Sequence, residues 1–386
     1  MEVPHDLVEE IISRLSVKSL LRFKSVSRRW RWTLESQHFK KRHMTHHQSL
    51  DPNFLLVEGL FEPINFCLMR MLVLGSSVPI ELPCPNPPPR RIDIPAIEFN
   101  VPPKVTNSCD GMICCYDRFG EIFVVNPSTR WYRQIHGAGY QEIYSLLRER
   151  GKMPTARYSY DKLGFGKDIY TGAYKLVWLY NNFKRHEDSV TTCEIFDFDQ
   201  TNTWRYVKSF PYVIFDACQE PVYVDGSLHW LINDGPDTTK TRVVSFDFHK
   251  ETFEATFVLP TPSRNFGLLN VSNLNNRLCL SEKAWPKQYI WVLNHEDKTW
   301  EIMYSLDLPY FPREFFPGNE MDRQVTIPLA ILKKKNKLLL FDGIDRNPGP
   351  SLVIYDHDLR SYGKCFDRGI CNGMVPYYPS LISIPF

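Results

Sequence analysis

The chain has 386 residues, 43% of them apolar, with 46 lysines and arginines against 44 aspartates and glutamates. That apolar content supplies a globular core of one large domain or two and excludes a disordered chain. The near-balance of charge excludes an overall field strong enough to select a nucleic acid or an anionic membrane, although residues 1–50 carry ten basic residues against five acidic ones.

The first element predicted is a helix. Pro4 suits a first turn, and Asp6, Glu9 and Glu10 set negative charge near the positive end of the helix dipole. From there Leu7, Val8, Ile11, Ile12 and Leu15 form one wide apolar face. Ser16 and Val17 interrupt it, and a second short helix carries Leu20, Leu21 and Phe23. Ser27 is the expected N-cap of a third, with Trp30 and Leu34 inward and Arg28, Arg29 and Arg31 outward. His43, His46 and His47 follow and read as a solvated basic tail. A unit of about 40 residues seldom stands alone without disulfides, metals or a partner. Its apolar face is therefore covered either by the rest of the chain or by another protein.

Beyond residue 50 the helical period gives way to short runs rich in Val, Ile, Phe, Tyr and Trp, punctuated by Gly, Asn, Asp and Pro. An internal repeat organises them. VVNPSTRW at 124–131, DFDQTNTW at 197–204, DFHKETFE at 247–254, LNHEDKTW at 293–300 and YDHDLRSY at 355–362 each join an apolar strand end to a polar turn and a new strand. Aligned on Asn126, Asp199, His249, His295 and His357, four copies place Trp or Tyr five residues on, and the third departs with Phe253. Each is preceded by a second turn signal: Asp110-Gly111, Thr171-Gly172, Asp225-Gly226, Asn275-Asn276 and Lys335-Asn336. Three- or four-stranded antiparallel meanders at this spacing read as propeller blades. Five are visible, and 70–82 is a candidate for a sixth. The segments 83–103 and 136–159 read as insertions.

The ten cysteines are scattered, with no paired CxxC motifs, and read as reduced thiols packed as small apolar groups, including the tight set Cys109, Cys114 and Cys115. No window has the pattern of a signal peptide or the length of a membrane span, so the expectation is an intracellular protein of nucleus or cytoplasm.

Two resemblances extend this. Val3-Pro4, Asp6-Leu7, Ile11, Leu15-Ser16-Val17-Lys18-Ser19-Leu20-Leu21-Arg22-Phe23-Lys24 and Val26-Ser27-Arg28-Arg29-Trp30 resemble the F-box over residues 3 to about 42. Val3 and Ser16 stand where that pattern has leucine and proline. The resemblance implies that Pro4, Leu7, Ile11, Leu15, Leu20, Leu21, Val26 and Trp30 contact a Skp-type adaptor, or shape that contact, and so join a cullin-RING ubiquitin ligase. The segments CDGMICCY, LGFGKDIYTGAYKLVWLY, YVDGSLHWLI and YYPSLISIPF, among others, resemble the F-box-associated domain of plant F-box proteins, which is similar to kelch propellers. Together they imply an F-box over 1–45 and, over 46–386, a mainly β, kelch-like propeller of about six blades that selects a protein target. No catalytic, metal or cofactor-binding residue is implied, and no target-binding residue is assigned.

Two other readings compete. A propeller-scaffold oxidase or glycosidase needs converging metal ligands or a carboxylate pair, whereas His249, His295 and His357 sit at repeated turns around a rim. Nucleic-acid binding through Arg28, Arg29, Arg31, Lys40, Lys41 and Arg42 lacks the interleaved aromatics that stack on bases.

Overall fold

The computed structural model describes residues 4–384 apart from 60–66, 73–89, 93–102, 118–119, 150–160, 182–190, 200–201, 208–219, 234–240, 260–267, 295, 312–324, 334–335, 342–350 and 368–372. Val3, His295, Lys335 and most of the segments 70–82, 83–103 and 151–159 lie outside the described residues.

The chain opens with four helices: α1 (His5–Ser13), α2 (Val17–Phe23), α3 (Arg28–Glu35) and α4 (Gln37–Gln48). Three serines start the later ones. Ser16 Oγ accepts from Ser19 N at 3.4 Å, Ser27 Oγ from Trp30 N at 3.2 Å and Ser36 Oγ from Phe39 N at 3.2 Å. Ser16, one of the two departures from the F-box pattern, thus sits at an N-cap, where serine is among the preferred residues. Ile12, Val17, Leu20, Leu34 and Phe39 form the core of this unit, with Val8, Leu15, Leu21, Phe23 and Trp30 packed half-buried around it.

The fourth helix corrects the reading of a solvated tail. Phe39, His43 and Met44 recur at the i, i+4, i+5 spacing of one helix face and are buried. Lys40, Lys41 and Arg42 between them hid that spacing in the sequence.

Among the described residues, six four-stranded antiparallel sheets follow. The first mixes the two ends of the chain: β1 (Asn53–Gly59), β2 (Cys67–Leu72) and β3 (Arg90–Ile92) are completed by the last strand, Gly373–Tyr377, which pairs with β1. The second holds β4 (Lys104–Val105), β5 (Ile113–Tyr116), β6 (Ile122–Asn126) and β7 (Trp131–Ile135), and is followed by α5 (Gly139–Glu149). The third holds β8 (Asp161–Lys167), β9 (Tyr174–Asn181), β10 (Thr191–Asp197) and β11 (Trp204–Tyr206). The fourth runs from β12 (Val222–Val224) through β13 (Ser227–Asn233) and β14 (Thr241–Asp247) to β15 (Thr252–Val258). The fifth contains β16 (Leu269–Leu274), β17 (Arg277–Ala284), β18 (Lys287–Asn294) and β19 (Thr299–Asp307). The sixth contains β20 (Ile327–Leu332), β21 (Lys337–Phe341), β22 (Ser351–Asp356) and β23 (Ser361–Asp367), leaving Gly373–Tyr377 as β24.

One apolar cluster fills each gap between successive sheets. Leu55 with Ile113 and Cys115 joins sheets one and two, Cys114 and Tyr116 with Trp178 joins two and three, and Val177 with Leu228 and Trp230 joins three and four. Val243 with Val271 and Leu280, Cys279 with Leu338 and Leu340, and Leu339 and Phe341 with Phe54 and Leu56 complete the ring. Neighbouring residues of one strand serve opposite neighbours, as Cys114 and Cys115 or Leu176 and Val177 show. Each blade is therefore covered on both faces, which is why ICCY, IFVVN and KLLLF are buried throughout instead of alternating.

The repeat is a hairpin closed by an Asx turn. The side-chain oxygens of Asn126, Asp197, Asp247, Asn294 and Asp356 each accept the N–H two residues on, at 2.8–3.0 Å. Arg130, Asn202, Glu251, Lys298 and Arg360 then take positive φ before the next strand starts. This corrects the sequence alignment: Phe253 follows Glu251 by two residues, as Trp300 follows Lys298 and Tyr362 follows Arg360, so the third copy conforms. Trp131, directly after Arg130, is one place early. His249 and His357 likewise occupy different positions of their turns. The aromatics at these starts pack inward, Trp204 on Phe196 at 5.5 Å, Phe253 on Phe246 at 5.1 Å and Tyr362 on Tyr355 at 5.0 Å.

Candidate protein-interaction site

Strand direction sorts the connections between two faces of the ring. In each blade the turns joining first to second and third to fourth strands lie on one face, and the remaining connections on the other. The first-to-second turns carry Asp110 (φ 50°) and Gly111 (φ 76°), Gly172 (φ 81°), Asp225 (φ 43°) and Gly226 (φ 78°), Asn275 and Asn276, and Asn336. These are the turn residues read from the sequence. Of these, Asp110, Gly111, Asp225, Asn275 and Asn276 line a cavity of about 540 Å³ together with Met44 and Gln48 of α4, so the helical unit sits over this end of the propeller.

Several contacts hold it there. Met44 joins the cluster between blades two and three, Leu381 joins the helical core, and Lys333 donates from Nζ to Gln48 O at 2.6 Å and from its backbone N–H to Asp51 Oδ1 at 2.7 Å. The helices thus use part of their apolar surface on the propeller.

A second part stays uncovered. Leu7 (56% exposed) and Ile11 (61%) form a stripe one helical turn apart on α1, Val26 (67%) follows α2, and Trp32 (71%) projects from α3. The wide apolar face of α1 is divided: Ile12 points into the core, Leu7 and Ile11 into solvent. Of the residues assigned to adaptor contact, Pro4, Leu7, Ile11 and Val26 are exposed and Leu15, Leu21 and Trp30 are half-buried. Leu20 is fully buried, so it shapes the surface from within instead of forming it. Trp32 escaped the sequence reading because its neighbour Trp30 took the inward position. Its signal was a second tryptophan two places on, hence off the core face.

The electrostatics under this surface are local. Glu10 pairs with Arg14 at 2.8 Å and with Arg42, tying α1 to α4. His43 Nε2 lies 3.0 Å from Leu15 O, and its ring is 4.2 Å from that of His47. Burial, reinforced by His47, lowers the His43 pKa to about 4, so the ring is neutral at physiological pH. Arg28, Arg29 and Arg31 are exposed, as the sequence indicated.

Elsewhere the polar groups are engaged in packing. His249 Nδ1 is 3.0 Å from Asp168 Oδ2, on the turn face, while His357 packs edge-on against Tyr304 at 5.7 Å. Among the described residues no three His, Cys, Asp or Glu side chains lie together as a metal set, and no helix is long and apolar enough to cross a membrane. Cys109, Cys114, Cys115, Cys193 and Cys279 are buried thiols, and burial pushes Cys279 up to about 12.

Comparison with known proteins gives these parts their names. An F-box domain model matches residues 1–42, and a model of the F-box associated beta propeller domain matches residues 63–384. The chain belongs to the F-box proteins that carry an F-box-associated β-propeller. It is 39% identical to an Arabidopsis thaliana F-box/LRR-repeat/kelch-repeat protein over 99% of this chain and 97% of that one. Two Arabidopsis thaliana F-box proteins are 39% and 36% identical, each over 99% of this chain and over 84% and 99% of their own lengths. The four helices are thus the F-box, and the six-bladed ring is its associated propeller.

Proposed function

We propose that this F-box protein is the substrate receptor of an SCF-type ubiquitin ligase in the nucleus or cytoplasm. The F-box binds a Skp-type adaptor and through it the cullin and RING subunits, and the propeller holds a protein target. The observation that carries this reading is the uncovered stripe of Leu7 and Ile11, with Val26 and Trp32, on a helical unit whose own core is already closed. Large exposed apolar side chains on an otherwise satisfied unit mark a protein interface. On this reading the chain contributes no reacting group: it raises the effective concentration of target lysines at the conjugating enzyme. The face away from the F-box, with exposed Leu146, Trp285 and Tyr310, is where the target is held.

The test is co-purification with a plant Skp-type adaptor of the wild type and of the double variant Leu7→Asp, Ile11→Asp. These positions are in solvent, so the variant keeps its fold and loses the complex, by at least about 30-fold in affinity for a contact of hot-spot strength. Leu20→Asp is unsuitable here because it destroys the F-box core. A wild type that binds no adaptor, or a double variant that binds as well, refutes the assignment.

A further inference from the structure

We propose that the C-terminal segment Tyr378–Ile384 is a positioning element that locks the F-box to the propeller in one orientation, and that Asn126 is its receptor. The segment leaves β24 and is held between the two units. Its side chains divide between them: Leu381 is buried in the F-box core with Leu20, Leu34 and Phe39, while Ile382 and Ile384 are buried in the cluster between blades two and three. One short stretch of chain is thus a shared part of two cores.

The propeller side is built to receive it. Asn126 is fully buried, and its Nδ2 lies 3.1 Å from Ser380 O, 3.1 Å from Ser380 Oγ and 2.7 Å from Ile382 O. Ser380 Oγ in turn donates to Asp110 O at 2.7 Å, and Tyr377 OH bonds to Ser128 Oγ beside the same hairpin. Gly111 leaves the space: a Cβ there would lie 2.5 Å from Tyr378 O and 2.6 Å from Ser380 Oγ.

Comparison among the blades separates this role from hairpin formation. The Asx turn needs only a side-chain acceptor, and Asp197, Asp247 and Asp356 supply it with a carboxylate. Asn294 supplies it with an amide whose nitrogen reaches only its own turn, at Asp297. Asn126 alone among these five aims its amide nitrogen at the C-terminal segment. Its acceptor makes the turn and its donor holds the strap.

The consequence for a ligase subunit rests on the receptor reading: a fixed angle between adaptor and target face sets which target lysines come within reach. The locking itself does not depend on that reading and is tested without adaptor or target. Asn126→Asp is nearly isosteric, keeps the turn acceptor, and replaces the donor with an oxygen facing the carbonyls of Ser380 and Ile382. Asn294→Asp makes the same chemical change in a hairpin without a strap. Spin labels introduced through noncanonical residues at exposed Gln37 in α4 and Leu359 in the sixth blade report the distance between the units in the full-length chain. A single narrow distance distribution is expected for the wild type and Asn294→Asp, and a broad one for Asn126→Asp and for a chain ending at Tyr378, with the propeller's circular dichroism unchanged in Asn126→Asp. A narrow distribution in Asn126→Asp, or a broad one in the wild type or in Asn294→Asp, overturns the proposal. Loss of adaptor binding by the Leu7 and Ile11 variant, with locking intact, leaves it standing.

Discussion

The F-box and the propeller bury apolar surface by opposite strategies. In the propeller each blade covers its neighbour, the sixth covers the first, and the ring closes on itself with one cluster per gap. The F-box, with only four short helices, closes a small core, borrows Leu381 from the far end of the chain, and still presents Leu7, Ile11, Val26 and Trp32 to water. Closure by repetition covers the faces of every sheet from within the ring. Closure by a few helices leaves a surface that another protein has reason to cover.

The sharpest way to break that contrast is Leu20→Asp. An unpaired charge in the F-box core costs several kcal/mol, more than so small a unit holds. Thermal scans are expected to show the F-box transition abolished and the propeller transition kept, whereas Leu7→Asp leaves both within about 0.5 kcal/mol.

Acid separates the two units next. His43 stays neutral in the folded F-box down to about pH 4, while the unfolded chain protonates it near 6.5. Its contribution is complete above about pH 7 and is lost as pH falls from 6.5 to 4, by roughly 3 kcal/mol in all. The propeller's Asp168 behaves otherwise. Burial works against its carboxylate, but hydrogen bonds from His249, the Thr171 hydroxyl and the N–H groups of Tyr170 and Thr171 outweigh it and hold the pKa at about 2. That contribution survives until the pH falls below about 4. Denaturation monitored across pH 7 to 4 is therefore expected to weaken the F-box first, and His43→Phe to flatten the effect. Parallel loss in both units contradicts this.

Two glycines measure the seam between the units. Gly111→Ala and Gly226→Ala share nearly the same positive φ, each costing about 1 kcal/mol for that reason. Only at Gly111 does the new methyl meet backbone, and about 1–3 kcal/mol more is expected there, read from chemical denaturation. Ser16→Ala is the smallest test. It removes an N-cap bond and is expected to cost the F-box about 1 kcal/mol, with no change in the propeller.

Much of this was legible in the residues, and what was not has physical causes. The turn pairs announced themselves because positive φ demands Gly, Asn or Asp, and Asp110-Gly111, Asp225-Gly226 and Asn275-Asn276 occupy such turns. The alignment of the repeats went astray because Trp is conspicuous and the Asx oxygen is not: the equivalent residues are Asn126, Asp197, Asp247, Asn294 and Asp356. The helix α4 was masked by Lys40, Lys41 and Arg42 lying between Phe39 and His43, and α5 by its place in an apparent insertion, although Tyr140 stacks on Trp178 at 5.7 Å. The first blade, read from 70–82 as a candidate sixth, was half visible. Its inner strand, β24, comes from the opposite end of the chain, and no local pattern reports a pairing across more than 300 residues. The exposed stripe on α1 was visible as surplus apolarity, but which residues were surplus depended on how the helices pack.

That pairing of first and last strands has a consequence during synthesis. Phe54 and Leu56 are made early, whereas the strand that pairs with theirs, Gly373–Tyr377, and Leu381 of the F-box core are made more than 300 residues later. A prematurely terminated chain has an open ring and an unfinished F-box together. The fold thereby couples both units to one late segment: a product cut short before it exposes apolar surface in the ring and in the helical unit alike, and is open to chaperones and proteases.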